Sequence, residues 1–164
     1  MKPIYKPKGA AAEYGDYAVN IYTGCPHRCY YCFAPNVLHR ERDAFHSCVE
    51  PRKDIVAELR RQLEREQITG QLVHLCFTCD PYPTGHDTTA TREVVQTLKE
   101  FGNHVQILTK GDGSRDFDLL DDGERNIFGA AYEYTRAYRQ FKAQYDAEKR
   151  RDKNQFSMFQ ENTE

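Results

Sequence analysis

Three cysteines fall within eight residues, Cys25-Pro26-His27-Arg28-Cys29-Tyr30-Tyr31-Cys32, at the spacing C-x3-C-x2-C. Thiolates this close in sequence can turn onto one soft metal centre, and iron–sulfur clusters are held by such thiolates. Three thiolates on a four-iron cubane leave one iron open to an outside ligand, as a catalytic metal site keeps one position free. A structural zinc ion needs four ligands. Here the fourth would be His27, Cys48 or a thiol of the segment Cys76-Phe77-Thr78-Cys79. Cys76 reads as a core thiol, and Cys79 as a thiol that faces either a pocket or the core. Their C-x2-C spacing imitates a redox pair, but side chains three apart on an extended strand face opposite ways.

The elements that must position these cysteines follow from pattern. Residues 1–16 are rich in Pro, Gly and Lys and read as an extended arm. A β-type run, Tyr17-Ala18-Val19-Asn20-Ile21-Tyr22, leads into the turn signal Thr23-Gly24-Cys25-Pro26, so the triplet sits on a loop leaving a strand end. A polar stretch covers 35–50. Pro51 then opens a helix, at a position proline favours. Ile55, Val56, Leu59 and Leu63 mark its buried face. The apolar run from Leu72 to Thr78 is the next strand, stopped by Pro81 and Pro83. Thr89 or Thr91 caps a second helix through Phe101, which buries Val94, Val95 and Leu98. His104 to Lys110 is a third strand, stopped by Gly111-Asp112-Gly113. A short helical piece holds Phe117, Leu119 and Leu120, and 126–130 begins a fourth strand.

Strands alternating with helices predict a parallel α/β sheet with helices outside. Right-handed crossovers put the C-terminal end of every strand on one rim. The loops 25–32, 79–85 and 110–113 therefore meet where active sites of parallel α/β folds lie. From residue 131 the texture changes. Tyr134, Tyr138, Phe141 and Tyr145 form one stripe of an amphipathic helix, and 155–164 reads as a frayed tail. The expected organisation is thus 1–130, an incomplete parallel βα barrel of about three to four βα units, and 131–164, a C-terminal helix.

Composition narrows the function classes. The 164 residues carry 23 Lys and Arg against 25 Asp and Glu, a formal charge of -2, so no global basic field for nucleic acid exists. No run of about 18 apolar residues is present, which predicts no membrane span. The opening Met1-Lys2-Pro3-Ile4-Tyr5-Lys6 has no secretory h-region. A cytoplasmic chain with six reduced cysteines follows as the expectation, and metal or redox chemistry fits them better than disulfides.

The triplet, with aromatic Tyr31 just before its third cysteine, resembles the radical S-adenosylmethionine motif. The stretch from Asn20 to Cys32 is similar to the subgroup of spore photoproduct lyase and DNA repair photolyase-like proteins. Phe77-Thr78-Cys79-Asp80-Pro81-Tyr82-Pro83 and Ile107-Leu108-Thr109-Lys110-Gly111 match that subgroup's next two strand ends, and the likeness runs from about Tyr5 to Ala130. The resemblance implies that Cys25, Cys29 and Cys32 bind a [4Fe-4S] cluster whose fourth iron takes S-adenosylmethionine. Tyr31 would pack beside the adenine, Lys110 would meet the methionine carboxylate, and Thr78, Cys79 and Asp80 would line the methionine side. The implied chemistry is reductive cleavage of S-adenosylmethionine, then hydrogen abstraction from a substrate, with a nucleic-acid base as the subgroup's example. A flavodoxin- or ferredoxin-type donor would supply the electron.

The chain departs from that pattern twice. The family's later strands have no counterpart after Ala130, which implies a second chain supplying the missing half, or a truncated cluster-binding fragment without activity. The position of the subgroup's radical-quenching thiol corresponds to Phe77, so that thiol is missing or displaced to Cys79, which weakens a thymine-dimer substrate. A zinc-binding interaction module is the remaining alternative.

Overall fold

The computed structural model describes residues 2–120 and the backbone of 127–130. It is a mixed α/β fold around one five-stranded, mostly parallel sheet with spatial order β1-β2-β3-β4-β5. Strand β1 (Ile4–Tyr5) runs antiparallel to β2 (Tyr17–Val19). Strands β2, β3 (Leu72–Leu75), β4 (His104–Thr109) and β5 (Ile127–Ala130) are successively parallel. Because β2 to β4 point the same way, the segments following Val19, Leu75 and Thr109 emerge on one rim. The reading of 131–164, including the Tyr134 to Tyr145 stripe, falls outside the described residues.

Two helices fold back between the parallel strands. Helix α3 (Ile55–Glu66) buries Ile55, Leu59, Gln62 and Leu63, and α4 (Thr89–Glu100) buries Val94, Val95 and Leu98. These faces close on Val19, Val73, Leu75, Val105 and Ile107 of the sheet. Buried leucines of this kind each contribute about 2–5 kcal/mol when compared with alanine. Asn103 joins the entries to β3 and β4: its amide donates to the Ile68 carbonyl at 3.0 Å, and its Oδ1 accepts from Gln71 N at 3.0 Å.

Several local readings are corrected. The arm contains a strand, β1. It escapes a periodicity reading because two residues carry no period. Its backbone is completed from the side by Gln62, whose Oε1 accepts from Ile4 N at 3.2 Å and whose Nε2 donates to Ile4 O at 2.8 Å. The polar stretch contains two short helices, α1 (Ala34–Val37) and α2 (Arg42–Ser47). Pro51 does not open α3: it bridges Tyr22, and Arg52 N donates to Ile21 O at 2.9 Å. The helix starts at Ile55, after Asp54 turns through φ 53. Neither Thr89 nor Thr91 caps α4. Asp87 Oδ1 accepts from Thr89 N at 2.9 Å, while Thr91 is buried and donates to the Pro81 carbonyl. Strand β3 ends at Leu75 rather than Thr78, because Cys76 adopts φ 75.

Candidate functional site

The cysteine loop is shaped by a close approach of backbones. A Cβ on Gly24 would lie 2.2 Å from the Phe45 carbonyl and 2.4 Å from that of Cys48, so only glycine lets the loop cross the end of α2. Helix α2 is in turn the clamp. Its N-cap Glu41 accepts from Asp43 N and Ala44 N, the usual remedy for orphaned first-turn amides. Arg42 donates to the Cys29 carbonyl at 2.6 Å and the Tyr30 carbonyl at 3.4 Å, and His46 Nδ1 lies 2.7 Å from the Cys25 carbonyl. Arg28 reaches back to Asp43 at 2.8 Å. Backbone carbonyls thus hold the loop, and the sulfurs are left for another task. Sequence reading missed Arg42 and His46. The signal was present as a cationic and a histidine side chain i, i+4 apart within a stretch too short to look helical.

The other wall is built where β3 and β4 end. Asp80 ties them together: Oδ1 accepts from Tyr82 N at 2.8 Å and from the Thr109 hydroxyl at 2.5 Å, and Oδ2 accepts from Lys110 N at 2.8 Å. His27 Nε2 stands 3.3 Å from Oδ2, within ion-pair range but without hydrogen-bond alignment. Burial works to raise this carboxyl, but the His27 ring and the three donors outweigh it and hold the group below its usual range. Gly111 passes against the same turn, since a Cβ there would meet the Tyr82 carbonyl at 1.6 Å. Beneath it the Tyr82 hydroxyl donates to buried Asp116 at 3.1 Å, and Asp116 is held by Arg92 at 2.8 Å.

Between these walls lies a cleft of about 250 Å³. Cys25, Cys29, Tyr31, Cys32, Thr78, Cys79, Asp80 and Lys110 all line it. These are the residues singled out from the sequence, and the structure brings every one of them to the same cleft. The Lys110 Nζ stands 5.2 Å from the centre of the Tyr31 ring, a cation–π distance. Asp80 lines the cleft with a carboxylate already engaged by its own protein, so its part is to fix the rim. Cys48 is exposed and absent from the lining. Tyr31, Phe33 and Leu108 are more than half or about half exposed, at 60%, 54% and 50%, so one side of the cleft stands open to water.

The thiols differ in environment. Burial pushes the Cys25 thiol up to about 12. Burial likewise drives the Cys76 thiol well above its usual range. For Cys79 burial acts in the same sense, but the Cys76 thiol and the Tyr22 and Ile21 backbone amides outweigh it and lower the group. Tyr22 N donates to Cys79 Sγ at 3.4 Å. The left-handed turn at Cys76 ends the strand alternation, so Cys76 and Cys79 interact instead of facing apart.

Among the described residues, no three His, Cys, Asp or Glu side chains are drawn together tightly enough to hold a single metal ion. A cubane spreads its thiolates over separate corners, farther apart than the ligands of one ion. Cys25, Cys29 and Cys32 all line one cleft, on a loop held through its carbonyls, and thiolates are the side chains that hold such a cluster. The cleft volume is below the roughly 300–1,000 Å³ of ordinary ligand sites.

No family model matches the chain. It is similar to uncharacterized proteins of Mycobacterium bovis and of two strains of Mycobacterium tuberculosis, CDC 1551 and H37Rv, with 32% identity over 131 residues in each case. The match covers 76% of this chain and 38% of each relative, so the chain spans well under half the length of the curated proteins it matches. No solved structure matches it. No helix among the described residues is long and apolar enough to cross a membrane.

Proposed function

We propose that the chain is the N-terminal part of a radical S-adenosylmethionine protein, of the photolyase-like kind, built on an incomplete parallel βα barrel. The observation that carries this reading is the shared cleft: the three cysteines of one loop and the ends of the next two strands line a single cavity. The sheet adds support. Four parallel strands in unbroken sequential order suit a barrel wall, whereas a doubly wound sheet reverses its order at a switch point.

In this reading Cys25, Cys29 and Cys32 hold a [4Fe-4S] cluster, which with S-adenosylmethionine supplies reductive radical chemistry when both are bound. The protein's own residues do the rest. Arg42 and His46 hold the loop so that three sulfurs face the cleft. Lys110 offers a point charge to a carboxylate, and the Tyr31 ring face lies against its ammonium group. Asp80 locks the Lys110 backbone to the Cys79 turn. Tyr31, Phe33 and Leu108 offer an apolar wall, but an exposed one, so water is poorly excluded. A flavodoxin- or ferredoxin-type donor, and a second chain or segment covering the open side, complete the proposed system.

Anaerobic reconstitution with iron and sulfide tests the reading. About four irons per chain are expected, and Cys29→Ala should lose nearly all of them. Lys110→Ala should keep the iron and weaken S-adenosylmethionine binding. Stoichiometric zinc without sulfide would replace this reading with the zinc module. Little or no 5′-deoxyadenosine is expected from the isolated chain, because its cleft is open; vigorous production would remove the need for a second chain.

A further inference from the structure

The spacing Cys76-Phe77-Thr78-Cys79 is that of a redox pair, and the fold supplies what an extended strand withholds. Continued as a strand, the segment would hold the two residues about 10 Å apart, at about 3.3 Å per residue. The left-handed Cys76, at φ 75, breaks the strand, and the chain bends through 77–79. Three bonds tie that bend to the end of β2 and the residues after it. Cys76 N donates to Val19 O at 3.0 Å, Thr78 N donates to Asn20 Oδ1 at 3.0 Å, and Tyr22 N donates to Cys79 Sγ at 3.4 Å. The bend is therefore held by a neighbouring segment and not by the pair itself. It brings the thiols together, and the Cys76 thiol donates to the Cys79 sulfur.

The two thiols are not equivalent. Cys79 lines the cysteine cleft and is partly exposed, so a small solute reaches it from there. Cys76 is 7% exposed and belongs to the apolar core. The donors around Cys79 favour its thiolate, while burial keeps the proton on Cys76. Sulfur chemistry begins at the accessible sulfur that ionises. A sheltered thiol held against it is placed to displace whatever the first sulfur has taken up. The arrangement is that of an attacking and a resolving cysteine.

We propose that Cys76 and Cys79 are a redox-active dithiol, which a hydroperoxide entering the cysteine cleft closes to an intrachain disulfide and a dithiol reductant reopens. The Cys79 sulfur attacks one peroxide oxygen. The O–O bond breaks, an S–O bond forms, and the departing oxygen leaves as water with the thiol proton. Cys79 is then a sulfenic acid. The Cys76 sulfur attacks Cys79 Sγ, the S–O bond breaks, the S–S bond forms, and the Cys76 proton leaves with the hydroxyl as a second water. Two thiols are oxidised by two electrons and one peroxide is reduced. The disulfide takes the Cys79 thiol out of the cleft wall and leaves Cys25, Cys29 and Cys32 untouched. The inference does not depend on the cluster reading of the cleft, and no step of it involves iron.

The test combines Cys25→Ser, Cys29→Ser, Cys32→Ser and Cys48→Ser in the full chain, so that only the pair can react. Equimolar hydrogen peroxide should consume both remaining thiols, and dithiothreitol should restore both. The tryptic peptide Glu66–Arg92 carries the pair and no other cysteine, and should lose two hydrogens in mass. In glutathione buffers the folded chain should favour the disulfide at least about tenfold more than the same chain in urea, about 30 mV for two electrons. That difference assigns the reaction to the bend and not to the spacing alone. Adding Cys76→Ala should stop the reaction at a Cys79 sulfenic acid, which dimedone traps. The wild-type chain decides the matter if the serine variant does not fold: its Glu66–Arg92 peptide should close on itself rather than cross-link to a peptide of the cysteine loop. Thiols that survive the peroxide, a Cys79 sulfinic acid beside a free Cys76, a cross-link from Cys79 to the cysteine loop, or equal preference in folded and unfolded chains would each overturn the proposal.

Discussion

The two walls of the cysteine cleft are held by different means. The wall formed by the ends of β3 and β4 is buried and saturated: Asp80 takes three donors, Gly111 lies against Tyr82, and Arg92 and Asp116 brace Tyr82 from below. The cysteine loop is partly exposed and is held through its carbonyls by Arg42 and His46, with Arg28 paired to Asp43 at the surface. Exposed polar contacts contribute little, about 0–1 kcal/mol apiece, whereas a buried network broken in the middle costs several times more. The difference teaches which wall is prior. The strand-end wall is a rigid platform that exists before any ligand. The loop has its path fixed by Gly24, and its other anchors are polar contacts of the weaker kind.

The sharpest way to break this comparison is by the two close-approach glycines. Gly111→Ala forces a methyl against a backbone carbonyl inside the platform and is expected to cost more than about 4 kcal/mol, leaving little folded protein. Gly24→Ala meets carbonyls at the end of a short peripheral helix. It should leave the sheet folded by circular dichroism while iron uptake is lost. If both variants unfold alike, the loop is as integral as the platform.

A smaller effect is expected at Asp80. Asp80→Asn keeps the shape but misorients a donor toward Thr109, Tyr82 or Lys110, and should cost about 1–3 kcal/mol in denaturant unfolding. The pH dependence has a definite sign. The folded carboxyl titrates below its unfolded value of about 3.9, so its contribution is fully present above that pH and is lost as pH falls through the folded value. The gap between wild type and variant should therefore be widest above about pH 4 and close below it. A gap that widens on acidification would show that Asp80 is not held ionised.

The smallest effect on stability is expected at Arg42. Arg42→Gln removes an exposed donor to the Cys29 and Tyr30 carbonyls and should change stability by less than about 1 kcal/mol. Iron uptake should nonetheless slow, because the loop that carries Cys29 loses that anchor. Unaltered uptake kinetics would shift the positioning role to His46.

Much of the arrangement was legible in the sequence because it depends on local pattern. The apolar faces of Leu59 and Leu63, and of Val94 and Leu98, repeat at helical spacing, and prolines and glycines punctuate the strand ends. Parallel order and right-handed crossovers then bring loops 25–32, 79–85 and 110–113 to one rim without knowledge of any contact. The spacing of Cys25, Cys29 and Cys32 is read directly from the chain. The rest lay in contacts between residues far apart in sequence. Strand β1 exists because Gln62, 58 residues away, completes its edge. Pro51 left the helix start because Arg52 N found Ile21 O. Asp80 read as a pocket liner until Thr109 and Lys110, some thirty residues later, were seen to engage it. Cys76 and Cys79 alternate only if the strand continues, and the left-handed turn at Cys76 ends it. Local sequence fixes what a segment prefers and which side chains can do chemistry. Which polar groups are paired, as at Asn20, and which are left over, as at the Thr78 hydroxyl, is settled only when the chain closes on itself, because each buried polar group takes its partner from wherever the fold brings one.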